Sequence, residues 1–251
     1  MNFERLSCWG LFGSLLAALG LFLAGFGVGQ SQTIKAQLQA FLSWPNGLRV
    51  DASAVSAATA DSWLDSPADV VMAGDSIIAQ GRWDEIFPGI SVHNRGIGGD
   101  TISGLLLRSD AIIAKSPRQI IVMIGINDLM AGSSVKDIAQ QYSVLVAKFD
   151  PESRLTLLGV LKCGPPRCDR AMNNKVATLN AAIADIAQRR KVRFINLNHS
   201  FARQGRLKTE LTYDGVHLNG QGYRLMRELL LPQLCTRTEG PIATCHNEMK
   251  R

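Results

Sequence analysis

Short apolar runs alternate with segments of helical periodicity between residues 69 and 234, and this alternation leaves few folds open to the chain. Five runs predict strands, at residues 70–73, 90–93, 119–124, 155–161 and 192–197. Four segments predict helices, at residues 101–114, 135–149, 171–190 and 222–234. Several of the strands are apolar on both faces, which is typical of parallel strands covered by helices on both sides. The pattern therefore predicts a three-layer α/β/α domain with a five-stranded parallel sheet.

The N-terminal region contains a long apolar segment. No charged residue occurs from Leu6 to Ile34, and the 21 residues of 9–29 would form a helix about 31 Å long, enough to cross the hydrocarbon core of a membrane. We expect a transmembrane helix that anchors the protein; a cleaved signal peptide is the alternative. The 251 residues then divide into a membrane anchor or signal sequence at 1–30, a linker at 31–66, one domain at 67–234 and a C-terminal tail at 235–251.

Cysteine placement and the apolar segment together predict a location outside the cytoplasm. Cys163 and Cys168 form one sequence-local pair, and Cys235 and Cys245 form another. In an oxidising compartment each pair could close a loop as a disulfide; free thiols and a metal site are the alternatives. We therefore expect a single-pass protein on the extracytoplasmic, periplasmic side of a membrane, or a secreted protein if a signal peptide is removed.

The residues that follow the predicted strands supply the chemistry, because functional sites in parallel sheets gather at the carboxyl ends of the strands. Ser76 comes directly after the first strand and could present its hydroxyl there as a nucleophile, or could cap a helix together with Asp75. Gly98 and Gly99 follow the second strand and permit close approach of the backbone to a ligand. The third glycine of a dinucleotide-binding loop is missing, since Thr101 stands in its place.

Two further junctions carry polar side chains. Asn127 follows the third strand and can offer its amide N–H to an oxyanion, whereas Asp128 beside it is explained as a cap for the following helix. Asp214 and His217 lie three residues apart before the last helix, so the carboxylate can accept the Nδ1–H of the imidazole and leave Nε2 free as a base. Each signal is weak alone, but their combination and order are specific.

In this order the four segments resemble the SGNH (GDSL-type) hydrolase superfamily. The resemblance covers residues 69–234 and is carried by Gly74-Asp75-Ser76, the segment 94–101, Gly125-Ile126-Asn127-Asp128 and Asp214-Gly215-Val216-His217. The second of these segments is especially similar to the platelet-activating-factor acetylhydrolase-like subgroup of esterases. The resemblance implies a flavodoxin-like arrangement of the sheet and a site that requires no metal and no organic cofactor.

The resemblance also implies a role for each matched position. Ser76 would be the nucleophile, His217 the general base and Asp214 the residue that orients the imidazole. Three donors would form the oxyanion hole: the backbone N–H of Ser76, the backbone N–H of Gly99 (or of Gly98) and the side-chain amide of Asn127.

These roles predict a serine esterase that hydrolyses acetyl or other short-chain O-acyl esters through an acyl-enzyme intermediate. Carbohydrate or cell-envelope esters are the expected substrates; a lysophospholipase or thioesterase acting on lipid acyl esters is the alternative. Acyl transfer in place of hydrolysis is a further alternative, and another hypothesis is a non-catalytic envelope-binding module that keeps the fold. Nucleic acid is not expected as a partner outside the cytoplasm, and the sequence predicts no particular oligomeric state.

The net charge of +6 is unevenly distributed. Residues 154–208 hold twelve basic and two acidic residues, a local charge of +10. This segment is either a solvated helix face or a basic flank that steers an anionic polymer or lipid headgroup toward the site. Several other residues are expected to have ordinary structural roles: His93 and His199 near strand ends, and Asn173, Asn174 and Asn180 as caps or surface residues of a helix. Trp83 and Tyr213 are expected in the core; a place in the lining of the acyl pocket is the alternative for both.

Overall fold

The computed structural model describes residues 68–114, 116–149 and 154–235. The predicted membrane anchor, the whole of the predicted linker at 31–66 and the tail beyond Cys235 lie outside the described residues. Within the described ranges, no helix is both long and apolar enough to cross a membrane. The anchor at 9–29 and the domain boundaries therefore stay predictions.

Five parallel strands form the central sheet, in the spatial order β2-β1-β3-β4-β5. They are β1 (Val70–Gly74), β2 (Val92–Gly96), β3 (Gln119–Met123), β4 (Arg154–Leu158) and β5 (Arg193–Ile195). The predicted α/β fold with a five-stranded parallel sheet is confirmed, and its strand order is that of flavodoxin-like folds. The order reverses direction between β1 and β3, and ligands of such sheets bind at the carboxyl ends of the strands beside this reversal.

Helices connect the strands and cover the sheet. The long ones are α3 (Ile102–Ile113), α5 (Val135–Phe149), α6 (Arg170–Arg190) and α8 (Gly220–Cys235). The short ones are α1 (Ser76–Ala79), α2 (Trp83–Ile86), α4 (Ile126–Met130) and α7 (Asn198–Phe201). A small hairpin of β6 (Ala202–Arg203) and β7 (Arg206–Leu207) and a 3-10 turn (Thr209–Leu211) precede α8. The four long helices match the four predicted ones, whereas the short helices and the hairpin were not predicted.

Alternate residues of β1 point to opposite faces of the sheet and so contribute to two separate cores. Val71 and Ala73 pack in one core with side chains of α3, α5 and α6. Val70 and Met72 pack in the other core with side chains of α1, α2 and α8. The sheet is therefore the middle of three layers. A strand covered on both faces is apolar at every position, which explains why β1 was predicted closely from its sequence.

Strand β2 begins two residues later than the predicted strand at 90–93 and continues to Gly96. It is an edge strand that pairs only with β1, and it is half-buried along its length. The polar residues His93, Asn94 and Arg95 fit into such a strand because its outer edge faces solvent. The prediction placed the strand too early, because it followed the apolar residues that precede β2.

Two asparagines of α6 hold the chain that follows β4. Asn180 accepts a hydrogen bond from the Val160 N–H and donates one to the Val160 carbonyl, both at 2.8 Å. Asn173 makes the same pair of bonds with the backbone of Cys163, at 3.0 and 2.8 Å. Both side chains are buried, so the expectation that they cap the helix or face solvent is wrong. They satisfy backbone groups of a buried loop.

Candidate active site

Ser76, His217 and Asp214 lie in a hydrogen-bonded line at the carboxyl edge of the sheet. The Oγ of Ser76 is 2.9 Å from Nε2 of His217, and Nδ1 of His217 is 2.7 Å from Oδ2 of Asp214. Ser76 is the first residue of α1 and is separated from the end of β1 by one residue, and the other two residues belong to the loop before α8. The side chains of His217 and Asp214 are 22% and 20% exposed, so the pair is sheltered but reachable from solvent.

The Asp214 carboxylate is kept ionised by its own loop. Burial raises its pKa, but hydrogen bonds from the backbone and side chain of His217 and from the backbone of Val216 outweigh burial and lower the pKa to about 2. Oδ1 accepts the two backbone N–H groups at 2.9 and 2.8 Å, which leaves Oδ2 for the imidazole. A carboxylate on Nδ1 favours the tautomer whose lone pair is on Nε2, facing Ser76.

Tyr213 stacks on the imidazole of His217, with ring centroids 5.7 Å apart and planes inclined by 15°. Its hydroxyl donates to Oε1 of Gln80 at 3.2 Å. The side chain is 63% exposed, so the expectation of core packing is wrong for Tyr213. The expectation is right for Trp83, which is buried and donates its indole N–H to the Ile78 carbonyl. Tyr213 therefore forms an exposed wall of the site.

The predicted oxyanion-hole residues follow three neighbouring strands: Ser76 follows β1, Gly99 follows β2 and Asn127 follows β3. Gly98 and Gly99 are exposed, and Gly99 has a left-handed φ of +75°. A Cβ added at either glycine would meet no other atom within 4 Å, so the space in front of this loop is open. The Asn127 amide donates one hydrogen bond to the Asp100 carbonyl at 2.9 Å, which fixes its orientation relative to the glycine loop.

A buried guanidinium lies beneath these loops. Arg108 of α3 donates from Nε and Nη2 to Oδ2 of Asp100, at 3.1 and 2.8 Å. It also donates to the carbonyl of Arg95 at 2.7 Å and to the carbonyl of Gly74 at 3.2 Å. Both side chains of the ion pair are buried, with exposures of 0% and 1%. Arg108 was not among the predicted site residues, because a lone arginine in a helix gives no sign of being buried.

Two further carboxyl groups are buried in this region. Burial raises the pKa of Asp75 to about 7, and the charges of Asp100 and Asp128 act in the same direction. Burial also raises the pKa of Asp128 to about 6. Asp128 accepts a hydrogen bond from the N–H of Ile102, the first residue of α3, at 3.3 Å. Its side chain thus binds the start of an earlier helix, and the expected cap for the following helix is wrong.

Cys163 and Cys168 form a disulfide that closes the loop after β4. Of the three alternatives left open for this pair, the structure has the first. The second pair, Cys235 and Cys245, includes a residue outside the described ranges. In the part of the chain that the structure describes, no group of three His, Cys, Asp or Glu residues is placed to hold a metal ion.

The disulfide loop packs against the turn that carries the predicted base. Gly164 in the loop donates its N–H to the carbonyl of Gly215 at 2.7 Å. Gly215 has a φ of +89°, and a Cβ there would lie 2.7 Å from the Gly164 carbonyl oxygen, so only glycine fits without rearrangement. Arg167 of the same loop lies 3.8 Å from the Asp214 carboxylate. The disulfide loop therefore supports the position of Asp214 and His217.

Comparisons with known proteins agree with the resemblance drawn from the sequence. Residues 72–225, more than half of the chain, match the GDSL-like Lipase/Acylhydrolase family. Platelet-activating factor acetylhydrolase IB subunit alpha1 from Rattus norvegicus is 29% identical over 185 residues, which cover 66% of this chain and 77% of that protein. The structure of a GDSL-like lipase from Bacteroides thetaiotaomicron has a TM-score of 0.61 at 25% identity and covers 74% of this chain and 98% of that one. A catalytic mutant of Axe2, an acetylxylan esterase from Geobacillus stearothermophilus, has a TM-score of 0.58 at 20% identity, with coverages of 68% and 95%.

The buried Asp75 carboxyl makes stability depend on pH. Its pKa is about 7 in the folded protein against an ordinary value of 3.8, so the folded state binds this proton more tightly than the unfolded chain. The resulting stabilisation is complete below pH 3.8 and is lost as the pH rises toward 7, with a slope of up to about 1.4 kcal/mol per pH unit. Asp75→Asn removes this titration and keeps an oxygen for the Ile77 N–H. We therefore expect the free energy of unfolding to fall less steeply with pH in the variant, as measured by urea unfolding across this range.

The exposed Asp84 supplies the control for this measurement. Asp84→Asn should leave the slope of the wild type unchanged. Asp128 contributes in the same direction as Asp75, so some slope remains in Asp75→Asn. Equal slopes in the wild type and Asp75→Asn would contradict the assignment.

Proposed function

The chain belongs to the GDSL-like lipase/acylhydrolase family, and we propose that it is a serine esterase that removes acetyl or short-chain acyl groups from carbohydrate or cell-envelope substrates. Its class is that of carboxylic ester hydrolases. The observation that carries the proposal is the line from Ser76 through His217 to Asp214, with contacts of 2.9 and 2.7 Å. Membership of an acylhydrolase family argues against the hypothesis of a non-catalytic binding module.

The geometry suits nucleophilic catalysis by Ser76. As its Oγ attacks the ester carbonyl, the proton passes to Nε2 of His217, which already lies at hydrogen-bond distance. The ionised Asp214 stabilises the imidazolium through Nδ1. His217 then gives the proton to the leaving alcohol oxygen, and the acyl group remains on Ser76. A water molecule deprotonated by His217 hydrolyses this acyl-enzyme and restores the free serine.

Negative charge develops on the carbonyl oxygen during both attacks. The backbone N–H groups of Ser76 and Gly99 and one N–H of the Asn127 amide are the proposed donors to it. The other N–H of Asn127 is bonded to the Asp100 carbonyl, so the side chain is already oriented before substrate binds. Donors held in this way require no reorganisation as the charge appears.

The surroundings of the site favour a small acyl group. Within residues 68–114, 116–149 and 154–235, the exposed large apolar side chains are Leu107, Met130, Val144 and Tyr213. They lie on three different helices and one loop, and scattered apolar residues of this kind are ordinary surface features. A long acyl chain needs a continuous apolar channel, whereas an acetyl group needs only a small pocket. The rat relative is likewise named an acetylhydrolase.

A lipid ester is the alternative substrate, as for a lysophospholipase or thioesterase. The same relative favours it, because its name specifies platelet-activating factor. The apolar segment 9–29 also favours it, because a membrane anchor would hold the site near a lipid surface. The acyl chain length that the enzyme accepts distinguishes the two substrates.

A series of p-nitrophenyl esters from acetate to octanoate measures that chain length. We expect kcat/KM to be highest for acetate and to fall as the chain grows, because the proposed pocket is small. Ser76→Ala should lower acetate hydrolysis by at least about 10³-fold. Ser133→Ala, a serine away from the line of hydrogen bonds, should leave it unchanged. Comparable activity on octanoate would favour the lipid alternative, and full activity of Ser76→Ala would refute the nucleophile.

Asn127 provides a separate test of the oxyanion hole. We expect Asn127→Ala to lower kcat by about 10²–10³-fold with little change in KM, because the lost donor acts on charge that exists only in the transition state. Met130→Ala, which alters an exposed residue of the same helix, is the matched control. A loss confined to KM would show that Asn127 binds the substrate rather than the oxyanion.

We also propose that the protein acts outside the cytoplasm, held by the segment 9–29; secretion after signal cleavage is the alternative. The length and apolarity of that segment and the Cys163–Cys168 disulfide support the proposal. We expect the protein to stay with membranes after an alkaline wash and to keep its N-terminus. A soluble external form without the first ~30 residues would indicate the secreted alternative. A cytoplasmic protein with free thiols would contradict both.

A further inference from the structure

A cavity of about 510 Å³ opens beside the β6–β7 hairpin and the start of α6. Its volume lies within the range of about 300–1,000 Å³ that is usual for small-ligand sites. Polar and charged residues with one glycine form the described lining: Lys162, Arg170, Asn173, Asn174, Arg203, Gln204, Gly205 and Arg206. Four of these residues are cations, and no carboxylate is among them.

The four cations come from three separate parts of the fold. Lys162 lies in the loop after β4, Arg170 begins α6, and the other two belong to the hairpin. In the hairpin, Arg203 and Arg206 stand directly opposite each other in the antiparallel register. Like charges in that position destabilise a hairpin, so stability does not explain their placement. These four cations line one cavity, whereas the cations of a solvated helix face would point separately into solvent.

Little negative charge opposes these cations. Arg203 pairs with Glu210 at 3.3 Å, but both side chains are largely exposed and therefore screened. Asp169 is occupied as the N-cap of α6, where it accepts the Met172 N–H at 2.8 Å. Among the described residues, the other three lining cations make no ion pair: Lys162, Arg170 and Arg206. The cavity is thus a region of net positive potential.

The disulfide loop connects the lining of the cavity to the turn that carries Asp214 and His217. Asn173 of the lining is bonded to the backbone of Cys163, where that loop begins. The next residue, Gly164, is bonded to Gly215 beside Asp214. The lining of the cavity is therefore linked through these two contacts to the turn that holds the proposed base.

We infer that this cavity binds an anionic sugar residue of the substrate, one that carries a carboxylate or a phosphate, while the ester on a neighbouring sugar lies at Ser76. Arginine binds both anions with paired N–H donors. The amides of Asn174 and Gln204 can donate to and accept from sugar hydroxyls. The described lining has no apolar side chain to receive the chains of a lipid. The inference rests on the proposed esterase function and narrows its substrate class to O-acylated anionic glycans.

Binding is measured on the full chain carrying Ser76→Ala, so that no reaction interferes. The probes are an oligogalacturonate for the carboxylate, glucose 1-phosphate for the phosphate and a xylo-oligosaccharide as the neutral control. We expect at least one anionic probe to bind about tenfold more tightly than the neutral one, with an affinity that falls as salt rises. Adding Arg203→Gln and Arg206→Gln should weaken that binding about tenfold.

A matched variant controls for loss of charge. Arg189→Gln with Arg190→Gln removes two positive charges at the other end of α6 and should leave the affinity unchanged. In protein with Ser76 intact, Arg203→Gln with Arg206→Gln should raise KM for acetylated polygalacturonate about tenfold with kcat retained. Hydrolysis of p-nitrophenyl acetate, which has no anionic sugar, should not change.

Three outcomes would overturn the inference. The first is an equal affinity for the anionic and the neutral probes, and the second is an equal loss of affinity in the control variant. The third is an effect of the hairpin substitutions only on binding to phosphatidylglycerol vesicles, which would show that the cations bind a membrane. Failure of the wild type to hydrolyse any ester would refute the proposed function instead, and the binding measurements would still decide whether the cavity takes an anionic sugar.

Discussion

The guanidinium of Arg108 lies away from water and bonds to the ends of two strands and to the loop between the second strand and α3. It holds the carbonyls of Gly74 and Arg95 and the carboxylate of Asp100. The backbone carbonyl of Asp100 in turn accepts the Asn127 amide. A buried charge is tolerated only when it is paired and its donors are satisfied, as they are here. A rigid planar group, rather than flexible loop backbone, therefore sets the spacing between the strand that carries the serine and the loop that carries the proposed oxyanion donors.

The same guanidinium lies in a region that contains three buried carboxyl groups and pairs with one of them. Asp100 takes the ion pair, and burial raises the pKa values of Asp75 and Asp128 to about 7 and 6. The region behind Ser76 is thus less anionic near neutral pH than its sequence indicates. An ionised carboxylate there would oppose negative charge on a substrate oxygen. Asp214 has the opposite environment, because its pKa is lowered and its charge faces the imidazole.

Sequence patterns predicted the parts of the molecule whose chemistry is local. Strands covered on both faces are continuously apolar, and the long helices have apolar residues at helical spacing. The sheet and its layers could therefore be predicted. Asp214 and His217 could be proposed from their three-residue spacing and Ser76 from its place after the first strand, and the structure brings the three side chains together. The role of Arg108 and the contact of Tyr213 with Gln80 could not be predicted, because they join residues distant in the sequence. The half-exposed edge strand β2 was misplaced for a related reason, since only its neighbour shows which residues pair.

Ser76 belongs to the first strand–helix junction of the domain, and His217 follows it by 141 residues. During synthesis the proposed nucleophile is therefore made long before the proposed base. Closing a contact across so much chain has an entropic cost that only the contacts of the assembled sheet offset. A nascent or truncated chain without the last loop carries a serine hydroxyl that no base activates. In the proposed mechanism, hydrolytic activity is thus linked to completion of the fold.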